Sequence, residues 1–496
     1  MLISKLFESI EYYTLCGVAE ITDVSGIEYD SRKAGAGDLF VCLVGAKTDG
    51  HKYAEKAYNN GCRAFLCSQE IDLPGDAYVA VTSDTRAALA RISAAFFGNP
   101  ADKLCLIGIT GTKGKTTTAL LIHSILNNSN HPCGYIGSNG IFIGNSRRES
   151  ANTTPESREL HGIFAEMCAE GITHAVLEVS SQALDRNRVD GIDFDVCIFT
   201  NLGRDHISDV EHASEEEYRA AKRKLFTSHG CKIAVYNADD PAWEYMLRDT
   251  DSSAVSFSMK DPSADFFGTT PDIYRDDNSL GIRFTCANSG EETPVMMLTP
   301  GLFSAYNGLA AIAACALLGV KVTSAAEILS HTPVDGRFEV VSALPKRTFI
   351  VDYAHNGLSL TSALGVLRDY EPTRLVCVFG SVGGRTQERR SELALAASAL
   401  ADHVIVTSDN PDFEAPEAIT DEIVAHLEDV SYEVIVDREE AVRHAVRTSR
   451  DGDIILFAGK GHETYQLICG EKVPFVEREI ILDECKILAG EVPVIH

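Results

Sequence analysis

The stretch of this 496-residue chain that carries the most chemistry is Gly108-Ile109-Thr110-Gly111-Thr112-Lys113-Gly114-Lys115-Thr116-Thr117. An apolar run at 104–109 leads into it and a helical pattern at 116–127 leaves it. Glycines between a strand and a helix let backbone N–H groups turn toward phosphate oxygens, and the helix start adds positive potential. Lys115 is then placed to reach the β- and γ-phosphates of a nucleotide, and the Thr116 hydroxyl to bind Mg²⁺. The spacing departs from the usual phosphate loop, because Gly108 lies one residue too far from Gly114, while the shorter G-x-x-G-K-[ST] is intact. The other reading is a glycine turn without a ligand; strand, loop, Lys-Thr pair and helix together speak against it. Such a loop signifies a nucleotide phosphate and no more, since switches, motors, kinases and ligases all use one.

The elements around the loop must present it at the mouth of a sheet. Residues 39–43, 64–67 and 78–81 read as strands, and 85–97 as a helix stopped by Gly98-Asn99-Pro100. Residues 104–109, 175–179 and 196–200 read as buried parallel strands, each ending in a polar loop. Residues 261–294 are polar and irregular with hairpin-like pieces, and 305–318 is a helix rich in Ala and Leu. Strands at 348–351, 375–379, 403–406, 433–436 and 453–457, separated by helical segments, predict a second open sheet. The expected fold is α/β with three domains. These are a small α/β N-terminal domain at 1–102, a central P-loop ATPase-like parallel sheet at 103–332, and a Rossmann-like C-terminal domain at 333–496. In such sheets ligands sit beyond the carboxyl ends of the strands.

Composition narrows the function. A formal net charge of −28 argues against a broad nucleic-acid or membrane surface, yet leaves room for an anionic small molecule held by a few Lys and Arg. No apolar run suits a bilayer span. The opening residues carry Glu8 and Glu11 and lack a cleavage signature, so they read as mature protein. The 14 cysteines form no C-x-x-C pair. Cys62 and Cys67 have the closest spacing of interest, and no His-rich segment follows. Buried reduced thiols in a cytoplasmic protein are expected, without a zinc site.

Residues 110–117 resemble the ATP loop of the Mur ligases, and the likeness recurs in order along nearly the whole chain. Asp30-Ser31-Arg32 with Gly37-Asp38-Leu39-Phe40 is similar to that family's uridine-nucleotide site. Asn152-Thr153-Thr154-Pro155 resembles the muramyl-peptide loop of its tripeptide synthetases. Glu178-Val179-Ser180-Ser181, Asn201-Leu202-Gly203-Arg204-Asp205-His206 and Ala220-Ala221-Lys222 resemble its metal and carbamate elements. Asp352-Tyr353-Ala354-His355, Asp409-Asn410-Pro411 and Gly459-Lys460-Gly461-His462-Glu463 resemble its C-terminal domain.

The resemblance implies a set of roles. Thr110, Gly111, Thr112, Lys113, Gly114, Lys115 and Thr116, with Asn307, Arg337 and His355, would bind ATP. Arg337, after the turn Asp335-Gly336, also reads as a hinge salt bridge. Thr116, Glu178, His206 and Lys222 would hold two Mg²⁺ ions, with Glu178 otherwise a structural acid. Composition alone reads Lys222 as an exposed helix lysine within 218–226. The resemblance implies instead a lysine carbamylated by CO₂, which must be neutral to react and so profits from burial. Ser31, Asn152, Thr153, Thr154, Ser180, Arg186 and Arg188 match substrate positions, and Arg forks suit phosphates and carboxylates. Position 186 departs from relatives that carry Gln or another polar residue there. Thr154-Pro155 also reads as an N-cap with Pro at N1, opening a helix at 156–169.

The implied reaction is ATP-dependent addition of an amino acid to a UDP-linked muramyl dipeptide, through an acyl phosphate, in peptidoglycan synthesis. Arg390, Asp409, Asn410, Asp412, Gly459 and Glu463 match amino-acid contacts, Arg390 being suited to the α-carboxylate. Family members that add meso-diaminopimelate carry Asp-Asn-Pro-Arg, and this chain has Asp409-Asn410-Pro411-Asp412. An ionised Asp412, with Glu414 nearby, repels a distal carboxylate and attracts an ammonium, so L-lysine is expected over diaminopimelate. A folylpolyglutamate synthetase-like ligase is the nearest alternative, disfavoured by Asp30-Ser31-Arg32. A precursor-binding relative without catalysis and an NTP-driven switch are the others. Expected partners are UDP-muramyl dipeptide, an amino acid and ATP, with no nucleic acid and no membrane insertion.

Overall fold

The computed structural model describes all residues except 19–21, 46–47, 204–211, 278, 385–386 and 491–496. Its contacts gather into two compact units, 1–265 with 313–320 and 266–312 with 321–496.

The first unit holds two sheets. In the N-terminal one the order is Tyr13–Cys16, Tyr78–Val81, Ala64–Cys67, Asp38–Val41, Gly26–Glu28, antiparallel at the first pair and parallel thereafter. The helix Thr85–Phe96 covers it, opened by the Asp84 carboxylate, which accepts the N–H groups of Arg86 and Ala87. In the larger sheet six parallel strands run Ser253–Ser258, Cys231–Asn237, Phe194–Phe199, Cys105–Thr110, His174–Glu178, Cys133–Gly137. The antiparallel strands Gly140–Ile143 and Ser146–Arg148 extend it. Ile107, Ile109, Val176, Leu177, Cys197 and Ile198 are all buried, as strands covered on both faces require. From Cys105–Thr110 the chain passes on one side to Cys133–Gly137 and His174–Glu178, then crosses to Phe194–Phe199 on the other. The switch point, and with it the ligand crevice, therefore falls at the carboxyl end of Cys105–Thr110.

In the second unit a six-stranded sheet runs Glu339–Leu344, Arg347–Asp352, Asp453–Ala458, Arg374–Phe379, His403–Val406, Ser431–Val434, parallel except at the first pair. The last strand begins two residues before the expected 433, because its register is set by pairing with His403–Val406 and its exposed edge position erases the apolar pattern. Arg438 is fully buried beside this sheet, its Nε donating to Glu477 at 2.9 Å and its Nη2 to the Ala458 carbonyl at 2.9 Å. The polar stretch at 261–294, read as irregular with hairpin-like pieces, contains antiparallel strands: Leu280–Asn288 pairs with Phe266–Gly268, Asp272–Arg275 and Glu291–Met297. Among the described residues no helix is long and apolar enough to cross a membrane.

One buried side chain makes the first unit sensitive to acid. His161, on helix Ser157–Ala169, is buried and neither ring nitrogen has a hydrogen-bond partner. Burial pulls its pKa from 6.5 down to about 4. The unfolded chain therefore binds this proton first, and stability falls as pH drops from about 6.5 toward about 4. Urea titrations of wild type and His161→Leu should show the stability difference moving by about 2 kcal/mol in the variant's favour between pH 8 and pH 5. A difference constant with pH counts against this account.

Candidate active site

The loop predicted to cradle phosphate is shaped for it. Gly111 has φ of 151° and Gly114 has φ of 85°, both in the region that glycine reaches freely. A Cβ on Gly111 would collide with the Thr200 hydroxyl at the end of the neighbouring strand. Asn201 pins the loop: its carbonyl accepts the Thr112 N–H and its side-chain oxygen the Lys113 N–H, each at 2.9 Å. Gly114 then heads the helix Lys115–Asn128. Lys115 Nζ donates to the Gly111 carbonyl at 2.8 Å and the Thr112 carbonyl at 3.1 Å.

Glu178, at the end of the adjacent strand, is fully buried. Its carboxylate accepts from the Thr116 hydroxyl at 2.8 Å, the Tyr135 hydroxyl at 2.7 Å and the Ser138 N–H at 2.9 Å. Thr153 touches the same group through Ser138, hydroxyl to hydroxyl at 3.0 Å. Lys222 is 1% exposed, which corrects its reading as a surface lysine. Its Nζ donates to the Gly111 carbonyl at 2.9 Å and lies 4.4 Å from the Tyr218 ring. Two ammonium groups thus converge on one loop carbonyl. His206 lies outside the described residues. Thr110 is buried on the strand itself.

Thr154 is not a helix cap. The helix begins at Ser157 after Glu156, without a side-chain cap, and the Thr154 hydroxyl donates to the Glu178 carbonyl at 2.7 Å and accepts the Ser180 N–H at 3.1 Å. Ser180 itself caps the next helix, accepting the Ala183 N–H. Arg188 is buried, donating to the Thr154 carbonyl at 2.9 Å and pairing with Glu156 at 2.9 Å, and desolvation lowers its pKa against the pull of Glu156. Arg186 is half-buried at the end of the helix that Ser180 opens, and Asn152 is exposed. Glu156 also pairs with Arg86 at 3.1 Å, joining the two sheets of this unit. Between them lies a cavity of about 490 Å³ lined by Ser31, Asp30, Arg32, Lys56, Arg86 and Glu156 among others. Arg32 grips Asp30 and holds its pKa down to about 2.

In the second unit, Tyr353 is flanked by the Arg337 guanidinium at 4.8 Å, the His355 ring at 4.7 Å and the His462 ring at 5.0 Å. Arg337, expected near ATP with a hinge salt bridge as the alternative, therefore stacks on an aromatic face. His355 Nδ1 donates to the Tyr353 carbonyl, and burial lowers its pKa. Asn307 is buried on helix Leu302–Leu317. A second cluster centres on Lys460, fully buried, whose Nζ donates to Asn410 Oδ1 and Glu463 Oε2, each at 2.7 Å, with Asp409 at 3.6 Å. Gly459, with φ of 113°, lets that chain pass close beside Asp409. Asp412 sits at φ of 52° and its carboxylate accepts the Gly470 N–H at 2.7 Å, closing the turn between Tyr465–Ile468 and Glu471–Pro474. Arg390 is buried between Glu414 at 2.7 Å and Glu422 at 2.6 Å.

Three family models cover most of the chain: the Mur ligase family, catalytic domain at 23–97, the Mur ligase middle domain at 109–315, and the Mur ligase, glutamate ligase domain at 336–461. A UDP-N-acetylmuramoyl-L-alanyl-D-glutamate–2,6-diaminopimelate ligase of Caldanaerobacter subterraneus is 39% identical over 466 residues, 92% of this chain and 94% of that one. The chain belongs to the Mur ligase family. It is accordingly an ATP-dependent, amide-forming ligase of peptidoglycan synthesis. The Bacillus cereus ligase of the same name is 40% identical over 93% of this chain and 94% of its own. A solved structure of a ligase with that name matches 99% of both chains at a TM-score of 0.71 and 27% identity. The expectation of lysine has less support than its alternative, since these relatives are named for 2,6-diaminopimelate. In this structure Asp412 accepts the Gly470 N–H and Glu414 pairs with Arg390.

Tyr135, Ser138, Glu156 and Lys460 were missed as site residues. Lys460 stood inside a stretch matched to the family; the other three had no spacing signal, because the fold alone brings them to the site. Removing Tyr135's hydroxyl leaves Glu178 with one donor fewer. Tyr135→Phe should lower ligase kcat about 10-fold, and Glu178→Ala by about 10²–10³-fold, in phosphate-release assays. Equal losses in the two would show that Tyr135 does more than hold the carboxylate.

Proposed function

We propose that this ligase joins 2,6-diaminopimelate to the D-glutamyl carboxylate of UDP-N-acetylmuramoyl-L-alanyl-D-glutamate, in the cytoplasm. The observation that carries the reading is the name shared by relatives 39–40% identical over more than nine-tenths of both chains. The domain division is taken at 1–102 for the uridine nucleotide, 103–332 for ATP and 333–496 for the amino acid. The 490 Å³ cavity beside Ser31 suits the nucleotide end, with Lys56 and Arg86 as cations for its phosphates.

ATP is held by the backbone of Thr110–Gly114, with Lys115 drawn from the loop carbonyls to the phosphates. A carboxylate oxygen of the muramyl dipeptide attacks the γ-phosphorus, the bond to ADP breaks, and an acyl phosphate forms. The amine of the incoming amino acid attacks its carbonyl carbon, and phosphate leaves. Lys115 offsets charge on the transferring group, and Thr153, Thr154, Ser180 and Arg188 fix the peptide end. Thr116 and Glu178 form an oxygen donor set that fits Mg²⁺, and His206 is assigned with them by family likeness. Two such ions would supply electrostatic stabilisation of the phosphoryl group.

Lys222 is assigned as a carbamate, which converts a buried cation into an oxygen ligand beside the loop. Its burial and its approach to the Gly111 carbonyl support this. Lys222→Ala should lose most activity and recover part of it with added short-chain carboxylate; near-normal activity without rescue removes the assignment. For the substrate, an amino-acid panel with mass detection of the UDP-linked product should show kcat/KM for diaminopimelate at least about 100-fold above that for lysine or ornithine. A preference for lysine overturns the substrate and leaves the ligase chemistry standing.

A further inference from the structure

The N-terminal sheet brings together three soft donors that the ligase reaction does not use. Cys42 lies one residue beyond the paired Val41 and Leu66, and Cys67 ends the neighbouring strand. Their sulfurs are 3.6 Å apart and both residues are fully buried. His51 belongs to the same group: one ring nitrogen and the two sulfurs all lie within 4.8 Å of one another. Sequence spacing argued against such a site because it pointed to Cys62 with Cys67. The fold pairs Cys67 with Cys42 instead, and Cys62 Sγ turns to the Asp38 carbonyl.

We propose that Cys42, Cys67 and His51 form a site for one Zn²⁺ ion, separate from the magnesium-binding loop. Two thiolates on a tetrahedral zinc at about 2.3 Å each stand about 3.8 Å apart, close to the sulfur separation already present. Linear coordination by a monovalent soft ion needs about 4.6 Å and fits less well. The imidazole is oriented as metal-bound histidines are: Nδ1 is held by the Asp49 carboxylate at 2.6 Å, which directs Nε2 to the metal. Nε2 now accepts the Ser68 N–H at 3.0 Å, and coordination takes it from that donor. The 490 Å³ cavity lies nearby, its wall including Leu43 and Gly50, the chain neighbours of Cys42 and His51, and a water completes the fourth position. Binding converts two thiols to thiolates and releases two protons to solvent. Because two protons leave for each ion bound, affinity should climb with pH, by up to about 100-fold per unit.

The test uses the full chain, reduced, with Mg²⁺ in excess and Zn²⁺ delivered against a chromophoric chelator. One equivalent of Zn²⁺ is expected, weakened about 10–100-fold in Asp49→Asn and lost in Cys42→Ser and Cys67→Ala. Zinc-edge X-ray absorption of the wild type should give a shell of two sulfurs with nitrogen or oxygen completing it. This measurement decides the matter if either cysteine variant fails to fold. No stoichiometric uptake, uptake unchanged in both cysteine variants, or a shell without sulfur overturns the proposal.

Discussion

A carboxylate with no access to water sits at the centre of this ligase. Glu178 is fully buried at the carboxyl end of a central strand, where an ionised group is costly unless its lone pairs are occupied. Thr116, Tyr135 and Ser138 occupy them, and each comes from a different segment around the switch point. The requirement fixes the geometry of its surroundings. The phosphate loop's helix must begin where Thr116 can reach Glu178, and the loop after Cys133–Gly137 must turn its N–H inward. The same strand end holds Thr154 through the Glu178 carbonyl, so the loop carrying Thr153 and Thr154 is set by the residue that faces the phosphate loop.

Positive charge is focused beside it. Lys115 and Lys222 both donate to the Gly111 carbonyl, which gathers two lysine nitrogens at one point of a chain whose net charge is −28. The global charge therefore says little about the substrate. Recognition of a polyphosphate needs only a local patch of donors, such as loop N–H groups with Lys115 beside them.

The second unit manages buried charge in another way. Arg438 with Glu477, and Lys460 with Glu463, Asn410 and Asp409, are buried polar networks at the ends of parallel strands. Breaking such a pair strands the remaining charge, so these residues specify loop positions at high cost for error. Asn410 and Asp412 adopt left-handed backbone there, and an Asp412 oxygen accepts the Gly470 N–H of the hairpin turn alongside.

What the sequence determined by itself was the set of elements with strong local signals. Strands 64–67, 78–81 and 403–406 appear where their continuous apolar runs place them, because burial on both faces leaves an unambiguous pattern. The phosphate loop and the family likeness were equally legible, since glycine and Lys-Thr spacing reflect a local backbone requirement. The edge strand at 431–434 was displaced because solvent erases its pattern. Only the tertiary structure decided which lysine is buried, that Thr154 serves Glu178 and not a helix, that Arg337 stacks on Tyr353, and that Cys67 faces Cys42. Each of these depends on which distant segment arrives beside the side chain, and no local rule of helix, strand or turn carries that information.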